Sequence, residues 1–262
     1  MDQQVADYFR DDCLQGKVVF VSGGSSGINL GIAQQFAAKG ARLMLFSRTE
    51  DKLRAAAQTI TETGGTALWA AGDVRDWEAV RAALARCHVE LGPLDVVLSG
   101  AAGNFLAPVT GLSSNGFKTV IDIDLLGTYN VLKHSYEYLQ RPGASLISIT
   151  APQAVMPMAE QAHAGAAKAG INMLTKVLAR EWGPEGVRVN AISPGFIADT
   201  EGTARLVDTA EKSVALLKSI PLGRLGEKNE IADMALFLCS DNARYVTGSI
   251  FDCDGGYVLG TA

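Results

Sequence analysis

Seven short apolar runs recur along the chain, each separated from the next by a stretch of helical character, and this alternation constrains the fold more than any other feature. The runs are Val18–Ser22, Arg42–Ser47, Ala67–Ala71, Asp95–Ser99, Ser145–Thr150, Arg188–Ser193 and Gly248–Cys253. Their apolar residues are consecutive rather than alternating with polar ones, as expected of strands covered on both faces. Between them Leu30–Lys39, Glu50–Thr63, Trp77–Leu91, Phe117–Leu139, Gln161–Trp182 and Lys228–Cys239 read as helices. The alternation predicts βαβ units and hence an α/β fold: one doubly wound parallel sheet of seven strands with helices on both faces. With 262 residues, no linker and no internal repeat, residues 16–262 are expected to form a single domain behind an N-terminal extension, residues 1–15. Phe196–Pro221 fits no strand and is expected to be a mobile cover over a site.

Composition excludes several function classes. A chain 48% hydrophobic and 19% charged is not disordered. No apolar run approaches the ~18–20 residues of a membrane helix. The net charge of −5 comes without a basic stripe, which argues against nucleic acid as a partner. Cys13, Cys87, Cys239 and Cys253 form no CxxC pair and have no histidine at ligand spacing, since adjacent Cys87 and His88 point apart on a helix. No metal site and a reducing compartment are therefore expected. The opening MDQQVADYFRDDC reads as neither signal nor transit peptide, and the closing YVLGTA carries no peroxisomal or retention tripeptide, so a cytoplasmic location is expected.

The first run ends in Ser22-Gly23-Gly24-Ser25-Ser26-Gly27-Ile28-Asn29-Leu30-Gly31 and passes into a helix. Glycines there permit positive φ and let a pyrophosphate approach the backbone at the helix N-terminus. After the first strand of a βαβ series this predicts a Rossmann-type dinucleotide site, with Gly23, Ser25, Ser26, Gly27 and Ile28 against the cofactor. The second run ends in Ser47-Arg48, where NAD-specific sites carry an acid for the ribose; a cation suits a 2′-phosphate, so NADP(H) is expected. Asp73, followed by Val74, is placed to accept from an adenine amino group or to cap the next helix.

The loop, the Asp73-Val74 pair, Ala101-Ala102-Gly103, Ser193-Pro194-Gly195, Pro221-Leu222-Gly223-Arg224 and Asp254-Gly255-Gly256 together resemble the short-chain dehydrogenase/reductase family over nearly the whole chain. Asn29 departs from the glycine usual there; asparagine tolerates positive φ better than most residues. The family's catalytic set is Ser, Tyr-x-x-x-Lys and a helix Asn. Here Lys168 remains in His163-Ala164-Gly165-Ala166-Ala167-Lys168, but Ala164 holds the tyrosine position, Ala151 the serine position and Asp124 the asparagine position. Tyr129-Asn130-Val131-Leu132-Lys133 matches the pattern by chance, one βα unit too early.

This set of replacements resembles the 2,4-dienoyl-CoA reductase branch, most of all its peroxisomal type, through Ala101-Ala102-Gly103-Asn104-Phe105, Asp122-Ile123-Asp124, Ile149-Thr150-Ala151, Glu181-Trp182-Gly183-Pro184 and Thr200-Glu201-Gly202. Ser99 departs from the Asn usual in the branch. The resemblance implies NADPH-dependent reduction of a conjugated acyl thioester, carried by CoA or acyl-carrier protein, in a homotetramer packed through Phe117–Leu139, Gln161–Trp182 and the last strand. Such a reduction develops a dienolate that is protonated on carbon, so an oxyanion donor suffices where a ketone needs an acid on oxygen. Asn104 is the expected donor, with Phe105 beside the acyl chain. Lys168 is expected on the nicotinamide ribose, Asp124 beside it relaying a proton through water, and Ala101, Pro194, Gly195 and Ile197 around the nicotinamide. Met156 is expected in the acyl pocket, and Arg75 and Arg205 at CoA phosphates. Two other readings stay open: a 3-oxoacyl-thioester ketoreductase using another acid such as His163, and a catalytically silent NADP(H)-binding protein.

Overall fold

Val18–Ser22 forms β1 with every side chain buried, because alternate residues feed two cores: Val19 and Val21 enter one, Val18 and Phe20 the other. The computed structural model describes residues 9–204 and 209–260. β1 is followed by β2 (Arg42–Ser47), β3 (Thr66–Ala71), β4 (Val96–Ser99), β5 (Ser145–Ile149), β6 (Arg188–Pro194) and β7 (Ile250–Cys253). All pair in parallel in the order β3-β2-β1-β4-β5-β6-β7, so the expected doubly wound sheet is the fold. β1 pairs with β2 on one side and β4 on the other, and the chain reverses its direction of travel across the sheet there. The crevice beyond the carboxyl ends of β1 and β4 is the switch point at which ligands bind in open α/β sheets.

The helices are α1 (Gly27–Ala38), α2 (Glu50–Glu62), α3 (Trp77–Leu91), α4 (Ser114–Ile121), α5 (Gly127–Ser135), α6 (Ala162–Trp182), α7 (Glu201–Ala204), α8 (Ala210–Ser219) and α9 (Lys228–Cys239). Ile32 and Phe36 of α1, Leu53 and Ile60 of α2 and Ile231 of α9 cover one face of the sheet. Val80 and Leu84 of α3, Val131 of α5 and Leu178 of α6 cover the other. Full burial of side chains such as Phe20, Phe36 and Phe46 stabilises the fold by roughly 1.5–3 kcal/mol each. Residues 9–15 lie against this domain: Leu14 is buried in the core and its N–H donates to Lys39 O at 3.0 Å.

The segment Phe117–Leu139, expected as one helix, begins earlier and is interrupted. α4 and α5 flank a wider π-helical turn, Asp122–Leu126, and a short 3-10 turn, Tyr136–Tyr138, follows α5. Among its described residues Phe196–Pro221 has no strand, but α7 and α8 lie within it, α8 starting from Thr209, whose hydroxyl accepts from Lys212 N at 3.2 Å. Arg205 lies outside the described residues. Among the described residues no helix is long and apolar enough to cross a membrane.

Candidate active site

A cleft of about 700 Å³ opens at the switch point. Its floor at one end is the turn from β1 to α1. Gly23 has φ +73, and a Cβ there would lie 2.9 Å from the backbone of Ala101, so the turn hugs the loop after β4. Ser26, at the N-cap of α1, makes no side-chain capping bond, which leaves the first N–H groups of the helix to an anion. Gly23, Ser25, Ser26, Gly27 and Ile28 all line the cleft. A narrow glycine turn under an uncapped helix end fits a dinucleotide's diphosphate. Asn29 needs no positive φ, because it sits inside α1, which begins at Gly27 rather than at Leu30.

Arg48 is exposed on the wall next to this turn, and Lys52, one turn into α2, joins it. Sequence reasoning missed Lys52, although a second cation four residues on, at a helix start, was the available signal. Asp73 is gripped by Arg75, whose Nε and Nη2 donate to its two oxygens at 3.0 and 2.7 Å. That hydrogen-bonded guanidinium holds the Asp73 carboxyl below its ordinary value of 3.8. Arg75, expected at a CoA phosphate, is thus engaged with Asp73. Val74 lines the cleft beside it.

At the far end Asp124 and Lys168 meet. Asp124 lies in the π-helical turn, whose extra residue per turn re-aims side chains. Its Oδ1 accepts from Gly103 N at 2.8 Å, and its Oδ2 lies 3.2 Å from Lys168 Nζ. Lys168 Nζ also donates to Ile149 O at 3.1 Å. Both side chains are more than nine-tenths buried, so the pair is held in a medium of low dielectric. Lys168 lines the cleft, as do Ala101, Asn104, Phe105, Pro194, Gly195 and Ile197.

Asn104 Nδ2 donates to Gln161 Oε1 at 2.9 Å, and Gln153 Nε2 donates to the same oxygen at 2.8 Å. Gln153 and Gln161 were not foreseen; α6 begins immediately after Gln161, and only folding brings that residue under the loop after β4. Met158 lines the cleft and Met156 does not, which corrects the expected acyl-pocket methionine. The His163 ring is fully buried, stands edge-on to Phe105 with centroids 4.5 Å apart, and does not line the cleft. Ala151 lines the cleft, Ala164 is buried, and no tyrosine is among the residues that line it. Tyr129 faces outward on α5 with Lys133 over its ring.

A family model described as "Enoyl-(Acyl carrier protein) reductase" matches residues 23–258. The structure matches that of a short chain dehydrogenase from Bacillus anthracis with a TM-score of 0.83 and 37% identity, covering 92% of this chain and 96% of that one. The chain belongs to the short-chain dehydrogenase/reductase family. Within the family it is 42% identical to the peroxisomal 2,4-dienoyl-CoA reductase [(3E)-enoyl-CoA-producing] of Rattus norvegicus, over 98% of this chain and 92% of the rat protein. It is 39% identical to the corresponding peroxisomal reductase of Saccharomyces cerevisiae, over 97% of this chain and 88% of the yeast protein.

Proposed function

We propose that this short-chain dehydrogenase/reductase reduces 2,4-dienoyl-CoA to an enoyl-CoA with NADPH, in fatty-acid metabolism. One observation carries the reading: Lys168 and the Asn104 amide line the cleft, Lys168 is paired behind it with buried Asp124, and position 164, where the family places its phenol, is a buried alanine. The similarity to the rat and yeast reductases supports it.

The glycine turn from Gly23 to Ile28, Arg48 and Lys168 would hold NADPH, which would supply a hydride to C5 of the diene. The charge then spreads to the thioester oxygen, and Asn104 donates to that oxygen as the charge arrives; such a donor is worth about 2.7–4 kcal/mol. Lys168 holds the nicotinamide ribose and adds its positive field. Asp124, fixed by Gly103 N, orients Lys168 and a water that delivers the proton to C2, giving a (3E)-enoyl product. His163, buried behind Phe105, has no access to a substrate oxygen, which weighs against the ketoreductase reading. Arg48, with Lys52, supports NADP(H) over NAD(H), since either can meet a 2′-phosphate. Arg48→Ala is expected to erase that preference, read as the ratio of the Kd values for NADPH and NADH.

Cys87, Cys239 and Cys253 are thiols, which supports a reducing compartment, and we place the enzyme in the cytoplasm. Exposed apolar side chains on the segments expected to pack, Phe117, Leu126 and Tyr129 on one and Met173 and Val177 on the other, support the homotetramer. The decisive assay follows NADPH absorbance with purified protein and a series of 2,4-dienoyl-CoA thioesters, with 3-oxoacyl-CoA as control. Consumption with the dienoyl series alone is expected. Turnover of 3-oxoacyl-CoA alone would establish the ketoreductase reading, and NADPH binding without any turnover would establish a silent binder.

A further inference from the structure

Asn29 stands where the family usually carries glycine, and its side chain reaches beyond the phosphate loop. It is the third residue of α1 and is nine-tenths buried. Its Nδ2 donates to Gly100 O at 2.8 Å and lies 3.5 Å from Gly23 O. Two acceptors around one nitrogen fix the orientation of the amide. Its Oδ1 is buried without a partner. A residue that only filled space would avoid that orphaned acceptor. The donor end is therefore what the position requires.

Gly100 completes the argument. Its φ is not in the left-handed region, so its backbone conformation does not call for glycine. Space does: a Cβ on Gly100 would sit 2.1 Å from Asn29 Oδ1 and 2.5 Å from Nδ2. The large residue at 29 and the missing side chain at 100 fit one another. Gly100 opens the loop that carries the candidate catalytic groups. That loop is tied to β1 by Ala101 N donating to Ser22 Oγ at 3.4 Å, to the π-helical turn by Gly103 N donating to Asp124, and to α6 by Asn104 donating to Gln161. Asn29 adds the tie to the phosphate loop.

We propose that Asn29 and Gly100 form a matched pair that sets the catalytic loop against the dinucleotide-binding turn, with Asn29 as a positioning residue for the reaction. The proposal rests on the reading that a dinucleotide occupies this cleft, and its binding arm needs no acyl substrate. NADPH is titrated against the full chain by fluorescence for Asn29→Gly, Gly100→Ala and the double variant. Gly100→Ala is expected to weaken NADPH binding about ten-fold or more, or to leave the protein unfolded, as residues in direct contact do. The double variant is expected to bind within about three-fold of the parent, because the new methyl occupies the volume the amide left. A double variant as impaired as Gly100→Ala overturns the proposal, as does a Gly100→Ala protein that binds NADPH like the parent. The positioning role is read in Asn29→Ala: kcat with dienoyl-CoA, per NADPH-titrated site, is expected to fall more than NADPH affinity does. A kcat unchanged per site would reduce Asn29 to a packing residue and overturn that role. If no dienoyl-CoA is turned over at all, the proposed reaction fails and the NADPH titrations still decide the pair.

Discussion

Asp124 and Lys168 lie side by side, both more than nine-tenths buried, and each serves as the other's counter-charge. Asp124→Ala strands a buried ammonium and removes the acceptor of Gly103 N, so a loss of about 3–5 kcal/mol in urea unfolding is expected. Asp124→Asn keeps that acceptor; it is expected to fold and to lower dienoyl-CoA turnover by about 10²–10⁴-fold, the usual contribution of a proton-transfer group. Asn104→Ala is expected to lower kcat by about 10²–10³ with the Kd for NADPH unchanged, since the amide acts on charge that develops during reaction. Asp73 gives a pH signature. Its carboxyl is depressed in the folded protein by the Arg75 hydrogen bond, so the pair stabilises the fold above the ordinary value of 3.8, and that contribution is lost as pH falls through the lower folded value. Arg75→Ala is therefore expected to be less stable than the parent at neutral pH, with the two curves converging on acidification.

The elements show where sequence alone stops. The continuous apolar run Val18–Ser22 announced a strand covered on both faces, and the glycine turn behind it announced the crevice. Both signals are local, since they depend on side chains a few residues apart. The π-helical turn at Asp122–Leu126 carries no local signal: helical periodicity runs through Phe117–Leu139, and only the docking of Asp124 onto Gly103 and Lys168 marks the widened turn. Lys168 and Asp124 were legible by family pattern, whereas Gln153 and Gln161 become neighbours of Asn104 only through the packing of α6 under the loop after β4. α8 lies in a segment, Phe196–Pro221, that carries no strand pattern, and its ten residues give only a short helical signal. At this scale Gly23→Ala is the sharpest test. A side chain at φ +73 costs roughly 1–3 kcal/mol and would also press on Ala101. A lower midpoint of unfolding and loss of NADPH binding by calorimetry are the expected results.

For the whole molecule the outward apolar residues of α5 and α6 matter most. Light scattering on the purified protein is expected to give four chains per particle. Met173→Asp, which sets a charge on a side chain 61% exposed in the single chain, is expected to shift the population toward smaller species. NADPH at a hundredfold excess over its Kd should add about 2.7 kcal/mol to unfolding of the folded chain, read as a higher Tm.

Gln161 Oε1 takes bonds from two amides at once, those of Asn104 and Gln153. When an acyl thioester draws the Asn104 amide toward its own oxygen, Gln153 still satisfies the glutamine. The exchange thus leaves the glutamine oxygen with a donor still in place, and the Asn104 amide can change allegiance between resting and working states with little reorganisation.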